Sequence, residues 1–244
     1  MIQRQTLLDA IVSQSLQHAR LLFAIIAISI CLHLSLSQEV WAQTALPDAF
    51  KCARLKYSGG GDWYNDPSAV PNLMKFIRER VGVLAPLKEE IVEASSPAIF
   101  QYSFVFMTGH GNVRFTEAEL ENIRNYLKSG GFIYADDDYG MDKSFRREVK
   151  RIFPGTDLVE LPYTHPIYHI YYKFPNGLPK THEHDNKPPQ AFGLFYNGRL
   201  VLLYTYESNP SDGWANPDVH NDPPEKREEA LKFGTNIVLY AISN

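Results

Sequence analysis

Along this chain, apolar residues fall into short continuous runs that alternate with stretches of helical spacing. Phe50 to Tyr57 is the first strand candidate, broken by Ser58-Gly59-Gly60-Gly61-Asp62. Asp66 and Pro67 suit the cap and first residue of a helix, and Val70, Leu73, Met74, Ile77 and Val81 then share one face up to Gly82. Phe104-Val105-Phe106-Met107 lacks polar alternation, as expected of a strand buried on both faces. Thr116-x-x-Glu119 reads as a capping box before Leu120, Ile123 and Leu127, and Gly130-Gly131 stops that helix. Phe132 to Ala135 predicts the next strand. Asp142 is placed to cap a third helix carrying Phe145, Val149 and Ile152, with Pro154 ending it. Residues 155–190, rich in Pro, Tyr and His, predict a long ordered loop with short strands. Ala191 to Tyr196 and Arg199 to Tyr206 form a hairpin across Asn197-Gly198, a strong two-residue turn signal. Asp222-Pro223-Pro224-Glu225 introduces a last helix with Ala230, Leu231, Gly234, Ile237, Val238 and Ile242 as its buried stripe.

Strands alternating with helices of this length imply an α/β fold, a mainly parallel sheet covered on both faces. Parallel strands put their carboxyl ends on one edge, where ligands bind in open α/β sheets. The most unusual segments all follow predicted strands. They are Gly60-Gly61-Asp62-Trp63, Gly109-His110-Gly111, Asp136-Asp137-Asp138-Tyr139 and Glu207. The expected architecture therefore gathers them at one edge, with residues 59–61, 109–111 and 136–138 within a pocket-sized spacing of roughly 15 Å.

The beginning of the chain departs from this alternation. Leu21 to Leu36 contains no Asp, Glu, Lys or Arg, Arg20 precedes it, and Val40-Trp41-Ala42 offers small residues for cleavage before Gln43. That order is a signal peptide's. Residues 1–42 are expected to be removed on export to the periplasm or medium, leaving 43–244 as a single domain. The alternative is a membrane anchor over residues 21–36, the one membrane association foreseen. Cleavage removes Cys31 and leaves Cys52, so no disulfide framework is expected. Over 244 residues, 44% hydrophobic and 21% charged residues indicate an ordinary globular chain. The net charge of −4 argues against a nucleic-acid partner. An envelope protein remains a candidate partner.

Candidate chemistry lies in polar clusters. Asp136, Asp137 and Asp138 are consecutive carboxylates whose mutual repulsion favours a cation or a basic partner. The alternative is that one caps the next helix while the others are solvated. His182 and His184 point the same way in an extended segment, which suits a transition metal, although a hydrogen-bonding surface loop would use them equally well. Gly109 and Gly111 free the backbone around His110. The candidate metal set is thus His110, Asp136, Asp137, His182 and His184, for zinc, iron or manganese. Glu207 is the candidate general base. Gly60, Gly61, Asp62, Trp63, Gly109, Gly111, Tyr139 and Trp214 are the candidate pocket residues. No Gly-x-Ser-x-Gly elbow occurs, and Cys52 sits in an apolar strand without a neighbouring histidine, which disfavours Ser or Cys hydrolysis.

Ala53-Arg54-Leu55-Lys56-Tyr57 with Gly60-Gly61-Asp62-Trp63-Tyr64, Met107-Thr108-Gly109-His110-Gly111, Gly130-Gly131-Phe132 with Ala135-Asp136-Asp137, Phe145-Arg146-Arg147-Glu148, and Asn221 to Arg227 resemble the bacterial domain of unknown function 4159 family over about residues 50–242. The resemblance implies a flavodoxin-like, class I glutamine amidotransferase-like three-layer sandwich. It also implies that the nucleophile elbow of true amidotransferases falls at Asp136 to Tyr139, where no Cys stands. Two functions from different classes follow. One is a non-catalytic binding module that kept the pocket and lost the nucleophile. The other is a metal-dependent hydrolase using Asp and His at the carboxyl edge of the sheet.

Overall fold

The computed structural model describes residues 50–182 and 184–243. The expected export segment 1–42, with Cys31 and the alternative anchor 21–36, lies outside the described residues, as does Glu183 of the His182–His184 cluster. The strands are β1 (Cys52–Lys56), β2 (Glu90–Glu93), β3 (Phe104–His110), β4 (Ile133–Tyr139), β5 (Val159–Glu160), β6 (Gln190–Tyr196) and β7 (Arg199–Tyr206). The helices are α1 (Ala69–Val81), α2 (Glu117–Lys128), α3 (Asp142–Ile152), the single turn α4 (Pro217–His220) and α5 (Pro224–Ser243). The strands form one sheet in the order β2-β1-β3-β4-β7-β6-β5. All pairings from β2 to β7 are parallel; β6 and β5 are antiparallel additions.

Alternation along the central strands assigns each side chain to a layer. Phe104, Phe106, Phe132, Tyr134 and Leu203 face α1 and α5 and pack with Leu73, Ile77, Phe233 and Ile237. Val105, Met107, Ile133, Ala135 and Leu202 face α2 and α3 and pack with Leu120, Ile123, Phe145 and Val149. Two cores on opposite faces make this a three-layer α/β sandwich. The Thr116 capping box forms in full, with Glu119 reaching back to the Thr116 backbone. Gly82 closes α1 at φ 79, a left-handed conformation that suits glycine.

Several expectations change on folding. Asp66 does not cap α1; it takes φ 48 in the preceding loop, and the helix begins at Ala69 after Ser68. Asp142 is the first residue of α3, while the carboxylate that accepts from the Met141 N–H at its start is Asp137. The edge strand β2 has no apolar run to announce it, because Glu90-Ile91-Val92-Glu93 buries only Val92. Most consequential, β3 and β4 outrun their apolar cores. Gly109 pairs with Asp137 and His110 with Tyr139, so the three aspartates belong to the strand and not to a loop after it.

No helix among the described residues is long and apolar enough to cross a membrane.

Candidate metal site

The sheet order reverses direction between β1 and β3, since β1 leads to β2 on one side and β3 leads to β4 on the other. Such switch points open a crevice at the carboxyl ends of the strands. Here the connections after β1 and β3 are stitched across it. Gly61 N–H donates to the Asn112 carbonyl at 3.0 Å, Arg114 N–H to Ser58 at 2.8 Å, and Gly111 N–H to Tyr139 at 3.2 Å. The glycine loops and the end of β4 therefore meet at one edge. Gly109 holds φ 144, and a Cβ there would strike the Tyr57 hydroxyl and Asp62. Gly61 likewise lies against Tyr57 and the His110 carbonyl, so both loops depend on glycine for close approach.

Within β4, period-2 alternation divides the aspartates. Asp136 is fully buried; one oxygen accepts from the Thr205 hydroxyl and the other from the Ser211 N–H. Burial raises its pKa to about 7. Asp137 faces the opposite layer, accepting from Met141 N–H at 2.9 Å and from the Tyr204 hydroxyl at 3.2 Å. Both expected ligands thus spend their oxygens on the fold. Asp138 is the carboxylate that reaches the crevice. It accepts from the Asn209 amide at 2.8 Å and from the Asn65 amide, and it lies 3.3 Å from His110 Nδ1. Burial, reinforced by Asp212, drives its pKa upward.

Facing Asp138 is a cluster drawn from segments far apart in sequence. Asp212 Oδ2 lies 2.6 Å from His182 Nδ1, and Asp212 Oδ1 lies 3.8 Å from His220 Nε2. His182 Nε2 reaches Asp222 at 3.1 Å, and His220 Nε2 reaches Asp66 at 2.9 Å. Asp212 is 2% exposed, yet its Oδ1 has no hydrogen-bond partner. Burial pushes the Asp212 pKa up, but the His182 hydrogen bond and the charge of His220 outweigh it and hold the carboxyl low. The same hydrogen bond holds the His182 imidazole above its ordinary pKa, against the effect of burial. One ligand atom from each of His182, Asp212 and His220 falls within 4.8 Å of the others, and the same holds for Asp66, Asp138 and Asp212. A cavity of about 360 Å³ opens over Asp138, His182, Asp212 and His220, with His110, Tyr139 and His184 also in its wall.

Arg54 supports this arrangement from β1. Its guanidinium donates to the backbone carbonyls of Trp63, Asn65 and Asp66, and its Nε pairs with Glu89 at 2.7 Å. That side chain is 2% exposed and fixes the loop that presents Asp66.

Of the expected metal ligands, His182 lies in the cluster and His110 beside it, between Asp62 and Asp138. His184 shares the cavity wall but turns elsewhere: its Nε2 pairs with Asn209 at 2.7 Å and its ring stacks on Tyr139. Glu207 is buried, accepts from the Asp185 N–H and pairs with Lys180 at 3.6 Å. It lines a neighbouring cavity of about 300 Å³, shared with Tyr139, Asp142 and Lys143, and not the one over Asp212. Trp214 leaves the pocket set altogether. It is fully buried between Phe106, Tyr134 and Gly234, with its indole N–H on the Ala230 carbonyl. Trp63 is half-buried against Tyr64 and Lys56. Gly60, at φ 95, and Gly111, at φ 82, hold left-handed backbone in the connections after β1 and β3 and line neither cavity.

Asp66, Asp212 and His220 are not among the candidates from sequence, and Asp138 is absent from the candidate set although it belongs to the aspartate run. The available signal was the density of Asp and His in the long connection before α5. Only the fold aligns that connection with β4.

The family model for a domain of unknown function (DUF4159) matches residues 51–242. No curated protein matches the chain.

Proposed function

The chain belongs to the DUF4159 family, and we propose that it is an exported hydrolase that binds a divalent transition metal through His182, Asp212 and His220. The reading rests on Asp212, a buried carboxylate with an unpartnered oxygen flanked by two imidazoles. Leaving a buried acceptor unmade costs about 1–3 kcal/mol, which a bound cation would recover. Two nitrogens and one carboxylate suit zinc, iron or manganese. Three protein ligands leave a position for water, the arrangement of catalytic rather than structural sites. A metal lowers the pKa of such a water and supplies a nucleophile that a chain without a Ser or Cys elbow otherwise lacks. His110, held between Asp62 and Asp138 in the same cavity, is assigned as proton acceptor. Residues 1–42 are assigned as the export signal, with 43–244 as the mature domain.

Elemental analysis of protein purified without chelator should find zinc, iron or manganese. H182A and H220A should lose the metal held at this site while remaining folded. At metal a hundredfold above Kd, binding should add about 2.7 kcal/mol of stability that chelator removes. Hydrolysis of chromogenic ester and phosphate probes should vanish in D212N. One observation favours a non-catalytic binding module: each histidine of the cluster already has a carboxylate partner. Protein without bound metal, with melting indifferent to chelator, would establish that second reading.

A further inference from the structure

The metal set of the preceding section accounts for Asp212 but not for Asp66 and Asp138. These residues come from the loop before α1 and from β4, and their carboxylate oxygens converge on Asp212 within 4.8 Å. The basic groups that pair with the three carboxylates are imidazoles: His110 on Asp138, His182 on Asp212, and His220 on both Asp66 and Asp212. His220 Nε2 lies between the two sets, 2.9 Å from Asp66 and 3.8 Å from Asp212. Asn209 donates from one amide nitrogen to Asp138 at 2.8 Å and to Asp212 at 3.1 Å, which holds the two carboxylates facing each other. Asp212 Oδ2 is turned to His182, while its buried Oδ1 has no donor.

A carboxylate has two oxygens and can bind one ion with each. We propose that Asp212 bridges a two-metal centre: one ion held with His182 and His220, and a second held with Asp66 and Asp138. The first set is mixed nitrogen and oxygen. The second is all carboxylate, the donor set of a hard divalent cation such as manganese or magnesium. Ions sharing a bridging carboxylate would stand about 3.5–4 Å apart, the separation at which paired metals clamp the attacking and leaving oxygens of a displacement. The inference rests on the proposed metal site and adds the second ion to it.

Manganese serves as the probe because it accepts both donor sets and is paramagnetic. The full chain, stripped and then dialysed against micromolar Mn2+ in magnesium-free buffer of moderate ionic strength to suppress adventitious binding, should retain two manganese ions per chain. Its electron paramagnetic resonance spectrum should be that of a spin-coupled pair. D138N should retain one ion and show the uncoupled six-line signal. D66N, at a more accessible position, repeats the test if D138N does not fold. H182A should also drop to one ion. One manganese in the wild type, uncoupled and lost in H182A, overturns the second site and leaves the single-metal reading standing. Two uncoupled ions, unaffected by D66N, overturn the bridge. No retained manganese, with none of zinc or iron either, overturns both proposals.

Discussion

Cys52 lies in the first central strand at 2% exposure, and burial pushes its thiol up to about 12. Thiol reagents attack the thiolate. Ellman's reagent should therefore leave Cys52 unmodified in the native protein and react with it fully in denaturant. Rapid native labelling would mean that β1 opens. His165 makes a second prediction, on pH. Its Nδ1 accepts the Ile167 N–H, and its ring packs on Tyr240 and Phe195. Burial lowers its pKa below 6.5, so the native state favours the neutral ring. The unfolded chain then binds more protons, and this residue's contribution to stability declines as pH falls through 6.5. H165N keeps a capping acceptor and cannot protonate. Its stability between pH 7.5 and 5.5, by urea denaturation, should decline less steeply than that of wild type.

Elements place the site through their ends. Arg54 shows the dependence most clearly, because one buried guanidinium ties β1 to the loop carrying Asp66 and to Glu89. Glu89 is largely buried, and burial raises its pKa against the pull of Arg54. R54M should cost about 3–5 kcal/mol by stranding that carboxylate. It should also weaken metal uptake by releasing the Asp66 loop. Urea melts and metal titration of the same variant separate the two effects. At the end of β3, G109A forces a Cβ against Tyr57 and Asp62 at φ 144. Strain of this kind costs about 1–3 kcal/mol. The melting temperature should fall by several degrees, and the His110 N–H should lose its Asp62 acceptor. The fold's elements were readable because helical period, capping residues and the Asn197-Gly198 turn act locally. Strand ends were not. An apolar run marks where a strand is buried among other elements, whereas Thr108, Gly109 and the aspartates of β4 extend the ladder with polar or glycine residues that give no such run.

Across the whole molecule, five carboxylates (Asp62, Asp66, Asp138, Asp212 and Asp222) meet three imidazoles at one edge of the sheet. They arrive from the connections after β1, β5 and β7, from the last residue of β3 and from β4 itself. On the proposal that residues 1–42 are an export signal, N-terminal sequencing of the native protein should begin near Gln43; an intact Met1 would favour the anchor over residues 21–36. Local pattern sufficed for the α/β class, the mainly parallel sheet and the edge at which polar loops gather, because period and turn chemistry reside in neighbouring residues. It also marked His110 and His182 as candidates. The identity of the cluster came from elsewhere. Three adjacent aspartates look equivalent in sequence, yet alternation in β4 sends Asp137 to one layer, the Thr205 and Ser211 contacts occupy Asp136, and Asp138 alone reaches the crevice. Asp212 and His220 gain their meaning when the connection before α5 folds against β4. Contacts between residues separated by 70 or more positions depend on sheet order and packing, which no local spacing encodes.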